Sequence, residues 1–118
     1  DKALALYEEA SSANTGEVAA QARFRLGELF EARGEHERAA RNFMRVAILF
    51  LHETLSPQAL ARAGQCYEQA GLAAQALGAY DELLKDYPES EPAPKAREAV
   101  DRLRQAETPA APAKEPGA

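Results

Sequence analysis

The chain has 118 residues, of which 46% are hydrophobic and 28% are charged, a composition that predicts one modest globular unit. Its net charge of −5, with no dense run of lysine or arginine, argues against binding to nucleic acid, because phosphates require many cationic contacts. The longest apolar run covers residues 46–51, far fewer than the ~20 residues of a membrane span, so we expect no membrane insertion.

Hydrophobic periodicity and helix-ending residues predict helices at 2–13, 17–33, 36–53, 57–70, 73–86 and 93–105. Ser56 followed by Pro57 is a start signal for the fourth helix, as an N-cap hydroxyl before a proline at the first helical position. Residues 106–118 are rich in proline and alanine and predict a disordered tail. Because the chain begins with Asp1 rather than Met, we expect it to be part of a longer protein.

The chain repeats itself with a shift of 37 residues. This shift aligns small and aromatic residues as well as charged ones: Arg25 with Arg62, Gly27 with Gly64, Phe30 with Tyr67, Glu31 with Glu68, Gly34 with Gly71, Ala39 with Ala76 and Phe43 with Tyr80. A fixed period of this kind is typical of solenoid proteins.

The residue types at the repeated positions predict two helical hairpins. We expect Gly27 to face Ala39, and Gly64 to face Ala76, so that the two helices of each hairpin approach closely. The aromatic side chains would fill the space beside these contacts. Gly34 and Gly71 fall where the first helix of each hairpin must end, and glycine there can adopt the left-handed conformation of a C-cap.

This pattern resembles the tetratricopeptide repeat, and the resemblance covers residues 1–105. It implies an all-α, right-handed superhelical solenoid of antiparallel helix hairpins, with repeats at 17–53 and 57–90. The period of 37 exceeds the family's usual ~34 residues, and we expect the extra residues to lengthen the second helix around 50–53. Ala63 stands where the family has a leucine before the glycine, and Leu51 where the second unit has Pro88.

Two partial units flank the full repeats. Residues 2–13 predict an orphan second helix, because Ala3, Tyr7 and Ala10 echo later core positions at a spacing of 36. Residues 93–105 predict a capping first helix. Asp101 occupies the position of the repeated glycine there, so no further helix can approach closely, and the polar outer side suits a terminal cap.

The residues capable of chemistry do not form a catalytic or metal-binding pattern. The chain contains one cysteine, Cys66, predicted to be a buried small hydrophobe. His36 is expected to be an exposed turn residue, and His52 to lie near a helix end, where it complements the dipole. Catalysis requires a nucleophile beside a base or converging titratable groups. We therefore expect neither an enzyme nor a cofactor.

A binding surface is the better candidate, because stacked hairpins leave an extended concave side. Four offsets from the repeated glycine share one face of each first helix, and the resemblance implies that this face lines the groove. We expect the groove to be lined by the residues at these offsets together with the neighbouring Arg25 and Arg62. They are Gln21, Phe24, Arg25, Glu28 and Glu31 in the first unit, Gln58, Ala61, Arg62, Gln65 and Glu68 in the second, and Lys95, Glu98, Arg102 and Gln105 in the cap.

Within this polar face Phe24 is the one exposed aromatic candidate and would anchor a ligand. Alternatively, Phe24 packs against the orphan helix. Arg25 and Arg62 would either contact a ligand or pair with Glu28 and other neighbouring acids. The sequence leaves both alternatives open.

Residues 85–90, followed by Ala93 and Ala96, resemble a variant frequent in bacterial envelope proteins such as the Tol-Pal coordinator and outer-membrane assembly lipoproteins. The resemblance implies a bacterial periplasmic or envelope-associated protein, with the cytoplasm as the alternative. The expected function is a scaffold that binds another protein as a peptide or helix in its groove. The alternative is a homo-oligomer that associates through the apolar stripe at 43–51 and the orphan helix.

Overall fold

The fold is built from helices alone across residues 2–13, 17–49 and 54–107, which are the residues that this computed structural model describes. Within these ranges the elements are α1 (Lys2–Ala13), α2 (Glu17–Ala32), α3 (His36–Leu49), α4 (Leu55–Gln69), α5 (Ala73–Asp86) and α6 (Ala93–Glu107). The expected lengthening at 50–53, His52 and most of the predicted tail lie outside the described residues.

Glycine ends the first helix of each hairpin, as the repeat predicted. Gly34 and Gly71 have φ of 79° and 80°, the left-handed region that other residues adopt only at a cost. After each glycine the chain folds back: the Glu35 N–H donates to the Phe30 carbonyl at 2.9 Å, and the Leu72 N–H donates to the Tyr67 carbonyl at 2.8 Å. These bonds satisfy carbonyl groups that the helix end leaves open.

Each helix packs mainly on its neighbours along the chain, which is the arrangement of a solenoid. Helices α2 and α3 form one hairpin and α4 and α5 the next, while α1 packs on α2 and α6 on α5. Some contact also joins α2 to α4, so the first helices of successive hairpins lie side by side. The predicted all-α solenoid of stacked helix hairpins is confirmed in this packing.

Two buried clusters hold the stack together. The first centres on Phe30, Phe43 and Val46 in the first hairpin, with Tyr7 of α1 packed against it. The second centres on Leu60 and Leu83 and extends to Val100 of α6. Burying one large aliphatic or aromatic side chain stabilises a fold by roughly 1.5–3 kcal/mol. Helices α1 and α6 therefore belong to the same packed body as the two hairpins.

The close approach within each hairpin differs from the sequence prediction. A Cβ atom on Gly27 would lie 2.7 Å from Cε1 of Phe43, and one on Gly64 would lie 2.5 Å from Cζ of Tyr80. Each glycine therefore makes room for the flat side of an aromatic ring on the following helix. The nearest atoms belong to this ring rather than to Ala39 or Ala76, because the ring projects from one turn further along that helix and fills the gap.

The start of α4 also differs from the prediction. The helix begins at Leu55, with Thr54 as the N-cap, so Ser56 is a buried residue of the first turn and not the cap. Pro57 becomes the third helical residue. This position tolerates proline because the first N–H groups of a helix have no intrahelical partner to lose.

A tight turn connects α5 to α6. The Ser90 hydroxyl donates a hydrogen bond to the Tyr87 carbonyl at 2.7 Å, and the Ala93 N–H donates to the Ser90 carbonyl at 3.1 Å. Ala93 and Ala96 are buried in the second cluster, and Tyr87 packs beside them. The pattern at 87–96 thus has a local structural role, which is to set the direction in which α6 leaves the turn.

Candidate peptide-binding groove

The predicted groove positions line two hollows on the side of the stack formed by α2, α4 and α6. The first, the α2–α4 hollow, has a volume of about 290 Å³ and is lined by Gln21, Phe24, Arg25, Glu28, Leu55, Gln58 and Arg62. The second, the α4–α6 hollow, has about 270 Å³, and its lining includes Ala61, Gln65, Glu68, Tyr80, Lys95, Glu98 and Arg102. Glu31 and Gln105 line neither hollow.

Phe24 is buried, which contradicts the expectation of an exposed aromatic residue. Only 6% of its surface is accessible. Its ring packs edge-on against Phe43 with 5.0 Å between ring centroids, and it belongs to the first core cluster together with Tyr7 of α1. The alternative placed Phe24 against the orphan helix α1; its ring contact is instead with Phe43 of α3, and α1 contributes Tyr7 to the same cluster. Phe24 forms the floor of the α2–α4 hollow and does not project as an anchor.

Arg62 joins the first helices of the two hairpins. Its guanidinium donates to Glu28 at 3.2 Å and also to Glu31, both on α2. The same group lies over the Phe43 ring, 5.0 Å from the centroid. Burial lowers the pKa of Arg62, but the hydrogen bonds from Arg62 to Glu31 and Glu28 outweigh burial and raise that pKa overall. Pairing with neighbouring acids, one of the two alternatives for Arg62, is confirmed.

Arg25 also pairs with an acid of its own helix. Its Nη1 lies 2.6 Å from Oε1 of Glu28, and this bond raises the pKa of Arg25. The pair is largely exposed, so it contributes little to stability. Glu28 is therefore shared between Arg25 and Arg62, and its carboxylate is held in one place at the edge of the α2–α4 hollow.

Glu68 has the equivalent role in the second hollow. Nη1 of Arg102 donates to it at 2.7 Å, and the Tyr80 hydroxyl donates to it at 2.7 Å. Burial raises the pKa of Glu68, while the bonds from Arg102 and Tyr80 lower it and prevail. Burial and the Glu68 carboxylate together raise the pKa of Tyr80. The carboxylate is thus ionised and fixed by two helices.

Between these fixed ion pairs the hollows present side-chain amides. Gln21, Gln58 and Gln65 are exposed, and Lys95 is exposed at the far side of the α4–α6 hollow. Each amide carries both donors and an acceptor, the two functions needed to bind a peptide backbone. Gln58 and Gln65 lie two turns apart on α4, and each lines one of the two hollows.

Sequence reasoning missed two residues of this surface. Leu55 lines the α2–α4 hollow as a half-buried apolar residue. The sequence predicts that α4 starts at Pro57, which leaves Leu55 outside the helix. The sequence predicts that the Tyr80 ring fills the space within its hairpin, yet Tyr80 also lines the α4–α6 hollow, where its hydroxyl donates to Glu68. A signal for this existed: Tyr80 replaces the Phe43 of the first unit, and a hydroxyl requires a polar partner when buried.

The residues with catalytic potential lie apart. Cys66 is fully buried, and burial raises the pKa of its thiol to about 12, the wrong direction for a nucleophile. His36 is partly buried at the start of α3, not an exposed turn residue, and its Nδ1 has no hydrogen-bond partner within the described ranges. Across those ranges no group of three or more His, Cys, Asp or Glu side chains is arranged to hold a metal ion.

None of the helices in the described ranges has the length and apolar character needed to cross a bilayer. The helices are instead amphipathic, with α3 and α4 burying only one side each. This pattern fits a stack of hairpins with two solvent-facing surfaces.

A comparison with protein families agrees with this architecture. A family model described as Tetratricopeptide repeat matches residues 21–50 and 58–90, more than half of the chain. No curated protein and no solved structure matches the chain. Tetratricopeptide repeats generally mediate protein–protein interaction, and domains built from them are typically non-catalytic. The repeat register, the left-handed glycines and the matched segments together establish that the chain belongs to the tetratricopeptide repeat family.

Proposed function

We propose that this protein is a non-catalytic scaffold that binds a peptide segment or helix of another protein in the groove formed by α2, α4 and α6. The observation that carries the proposal is the alignment of the two hollows along α4, with Gln58 opening into one and Gln65 into the other. A ligand that lies along α4 would contact both. Each hollow is smaller than the roughly 300–1,000 Å³ of a typical small-molecule pocket, so each suits a single side chain of an extended segment.

The fixed ion pairs support a preorganised groove. Arg62 and Arg102 each bind a carboxylate of the preceding first helix, so the walls of both hollows are in place before a ligand arrives. Preorganisation lowers the entropy that binding costs. The ligand would then gain hydrogen bonds from the exposed amides of Gln58 and Gln65, and charge contacts from Lys95.

The test is selection of ligands from a random displayed peptide library, followed by affinity measurement on a matched pair of variants. Gln58→Ala combined with Gln65→Ala removes two groove amides, and we expect each lost hydrogen bond to weaken binding by about 1 kcal/mol, or roughly fivefold. Gln69→Ala combined with Gln75→Ala is the control, because both glutamines are exposed outside the lining of the hollows.

Equal weakening in both double variants would exclude the groove as the binding surface. Failure of the folded protein to select any peptide would count against the proposed function itself. Phe24→Ala is unsuitable as a groove variant, because truncating a buried phenylalanine typically costs 3–5 kcal/mol of stability.

We further propose a periplasmic or envelope-associated location in a larger bacterial protein. The support is the resemblance at 85–96 to repeats of envelope proteins, although the Ser90 turn gives this pattern a structural role as well. Fractionation of cells expressing the native gene into periplasmic, membrane and cytoplasmic extracts tests the location. Recovery in the cytoplasmic extract alone would contradict it.

Self-association is the second candidate function. The apolar side chains of Ile48 and Leu49 at the end of α3 are 63% and 62% exposed, and a second copy that covered them would gain from their burial. Light scattering over a concentration series should then show a dimer that Ile48→Ser with Leu49→Ser dissociates. A monomer at every concentration would remove this candidate.

A further inference from the structure

A third hollow lies on the opposite side of α2 from the groove, between α1 and α3. We name it the arginine cleft. Its volume is about 480 Å³, its floor contains Leu26 and Phe30 of α2, and its walls contain Glu8, Arg23, Arg38, Arg41, Asn42 and Arg45. At ~3.6 residues per turn, Arg23, Leu26 and Phe30 point away from Gln21, Phe24 and Glu28. The cleft and the groove are separate surfaces.

Positive charge is concentrated in this cleft although the chain as a whole carries −5. Among the described residues, four guanidinium groups and one carboxylate, that of Glu8, line it. Arg38, Arg41 and Arg45 repeat at the spacing that places side chains on one face of α3. The linear sequence hides this cluster, because Arg23 comes from a different helix.

Two arginines of the cleft, Arg38 and Arg41, form ion pairs with carboxylates outside its lining. Glu35 binds Arg38 at 3.1 Å and Glu37 binds Arg41 at 3.3 Å, both as exposed pairs within α3 or at its start. Exposed pairs of this kind are weak and exchangeable. A guanidinium has five N–H donors, so one such bond leaves others for a ligand.

The cleft is also held in a defined shape. Arg23 donates to Oδ1 of Asn42 at 3.2 Å, and Asn42 in turn donates to the Arg38 carbonyl at 3.0 Å. The Arg38 guanidinium lies over the Phe30 ring, 4.4 Å from its centroid. Burial, and next the positive charge of Arg45, lower the pKa of Arg23. An anionic ligand would relieve this repulsion between like charges.

We propose that the arginine cleft binds an acidic segment of a partner protein through its Asp or Glu carboxylates. Guanidinium groups bind carboxylates through paired, charge-assisted hydrogen bonds. The volume suits more than one side chain, and the ring of Phe30 provides an apolar floor. A nucleic-acid strand fits less well, because beyond the cleft its phosphates would meet a surface with an excess of acidic residues.

The experiment measures the binding of a fluorescent polyglutamate peptide by polarisation at low salt, with polyglutamine of equal length as the neutral probe. The cleft variant is Arg41→Glu with Arg45→Glu. The control is Lys85→Glu with Arg97→Glu, which changes the net charge by the same amount at exposed positions outside the cleft. We expect the parent and the control to bind polyglutamate, and the cleft variant to bind about tenfold more weakly or not at all.

Circular dichroism checks that both variants remain folded. Two competition measurements then identify the class of ligand. Inorganic phosphate and a single-stranded oligonucleotide are added as competitors. Displacement of polyglutamate by the oligonucleotide at lower concentration than by unlabelled polyglutamate would overturn the assignment to an acidic protein segment.

Three results of the binding measurement would overturn the proposal. They are equal binding by the cleft variant and the control, binding of phosphate without binding of polyglutamate, and no binding by the parent. The groove variant Gln58→Ala with Gln65→Ala should bind polyglutamate as tightly as the parent does. The test of the cleft therefore does not depend on whether the groove binds a peptide.

Discussion

Arg102 of α6 binds Glu68 of α4 with 2.7 Å between Nη1 and Oε1. In the preceding repeat, Glu31 occupies the position equivalent to Glu68 and is bound by Arg62 of the next first helix, although Arg62 and Arg102 do not occupy equivalent positions. An acid at this position thus connects each first helix to an arginine of the one that follows. These pairs fix the relative positions of α2, α4 and α6, and therefore the shape of the proposed groove.

Glu68→Gln should make the protein less stable at neutral pH and less sensitive to acid. Because the folded pKa of Glu68 lies below its ordinary value of 4.5, its carboxylate contributes stability above pH 4.5 that is lost as pH falls through the folded pKa. We expect a cost of about 1–3 kcal/mol at neutral pH that disappears in acid. Melting temperatures measured from neutral to acidic pH test this, with the exposed Glu82→Gln as control. If the melting temperature of Glu68→Gln changed with pH in parallel with that of the parent, the proposed contribution of the Glu68 carboxylate would be contradicted.

Gly64→Ala should destabilise the second hairpin, whereas Gly78→Ala should not. A Cβ at position 64 would meet the Tyr80 ring at 2.5 Å, but one at Gly78 would meet nothing within 4 Å. We expect a loss of about 1–3 kcal/mol at Gly64 from overpacking. At Gly78 we expect a gain of about 0.5–1 kcal/mol, because alanine favours the helix interior. Chemical denaturation gives the free energy of unfolding of both variants. If the two were equally stable, α4 and α5 would be able to move apart at position 64 without loss of stability.

Arg62→Met should weaken the contact between the two hairpins. It leaves Glu28 and Glu31 without their shared partner and removes the cation above the Phe43 ring. We expect a loss of about 1–3 kcal/mol. Arg62→Lys should recover only part of this loss, since an ammonium group lacks the planar fork that binds two carboxylates. Urea unfolding measures both variants, and full recovery by lysine would mean that charge alone matters.

Cys66 should react with a thiol reagent only after the protein unfolds. The thiol is fully buried and its pKa is about 12, so almost no thiolate exists near neutral pH in the folded state. The labelling rate should rise with denaturant in parallel with the loss of helical circular dichroism. Rapid labelling of the native protein would indicate that α4 opens locally and would contradict the packing described for the first cluster.

The repeat fold could be derived from the sequence because its signals are local. The spacing of Gly27 and Gly64 sets the period, and Gly34 and Gly71 mark helix ends through a conformation that glycine adopts without strain. Helical periodicity also identifies which residues share a face, so most of the residues from first helices that line the two hollows could be named in advance. Each of these inferences requires only the geometry of a single helix.

The tertiary structure decided which residues meet across helices. Phe24 shares the periodicity of an exposed face, yet the approach of α3 brings Phe43 against it and buries it. The side chain nearest to a Cβ at Gly64 is Tyr80 rather than Ala76, because the distance between two helix axes depends on the largest side chain between them. Arg23 joins Arg45 in a cleft through the packing of α2 on α3. Helical periodicity defines the direction of a side chain around its own axis, but the crossing of neighbouring helices determines what lies there.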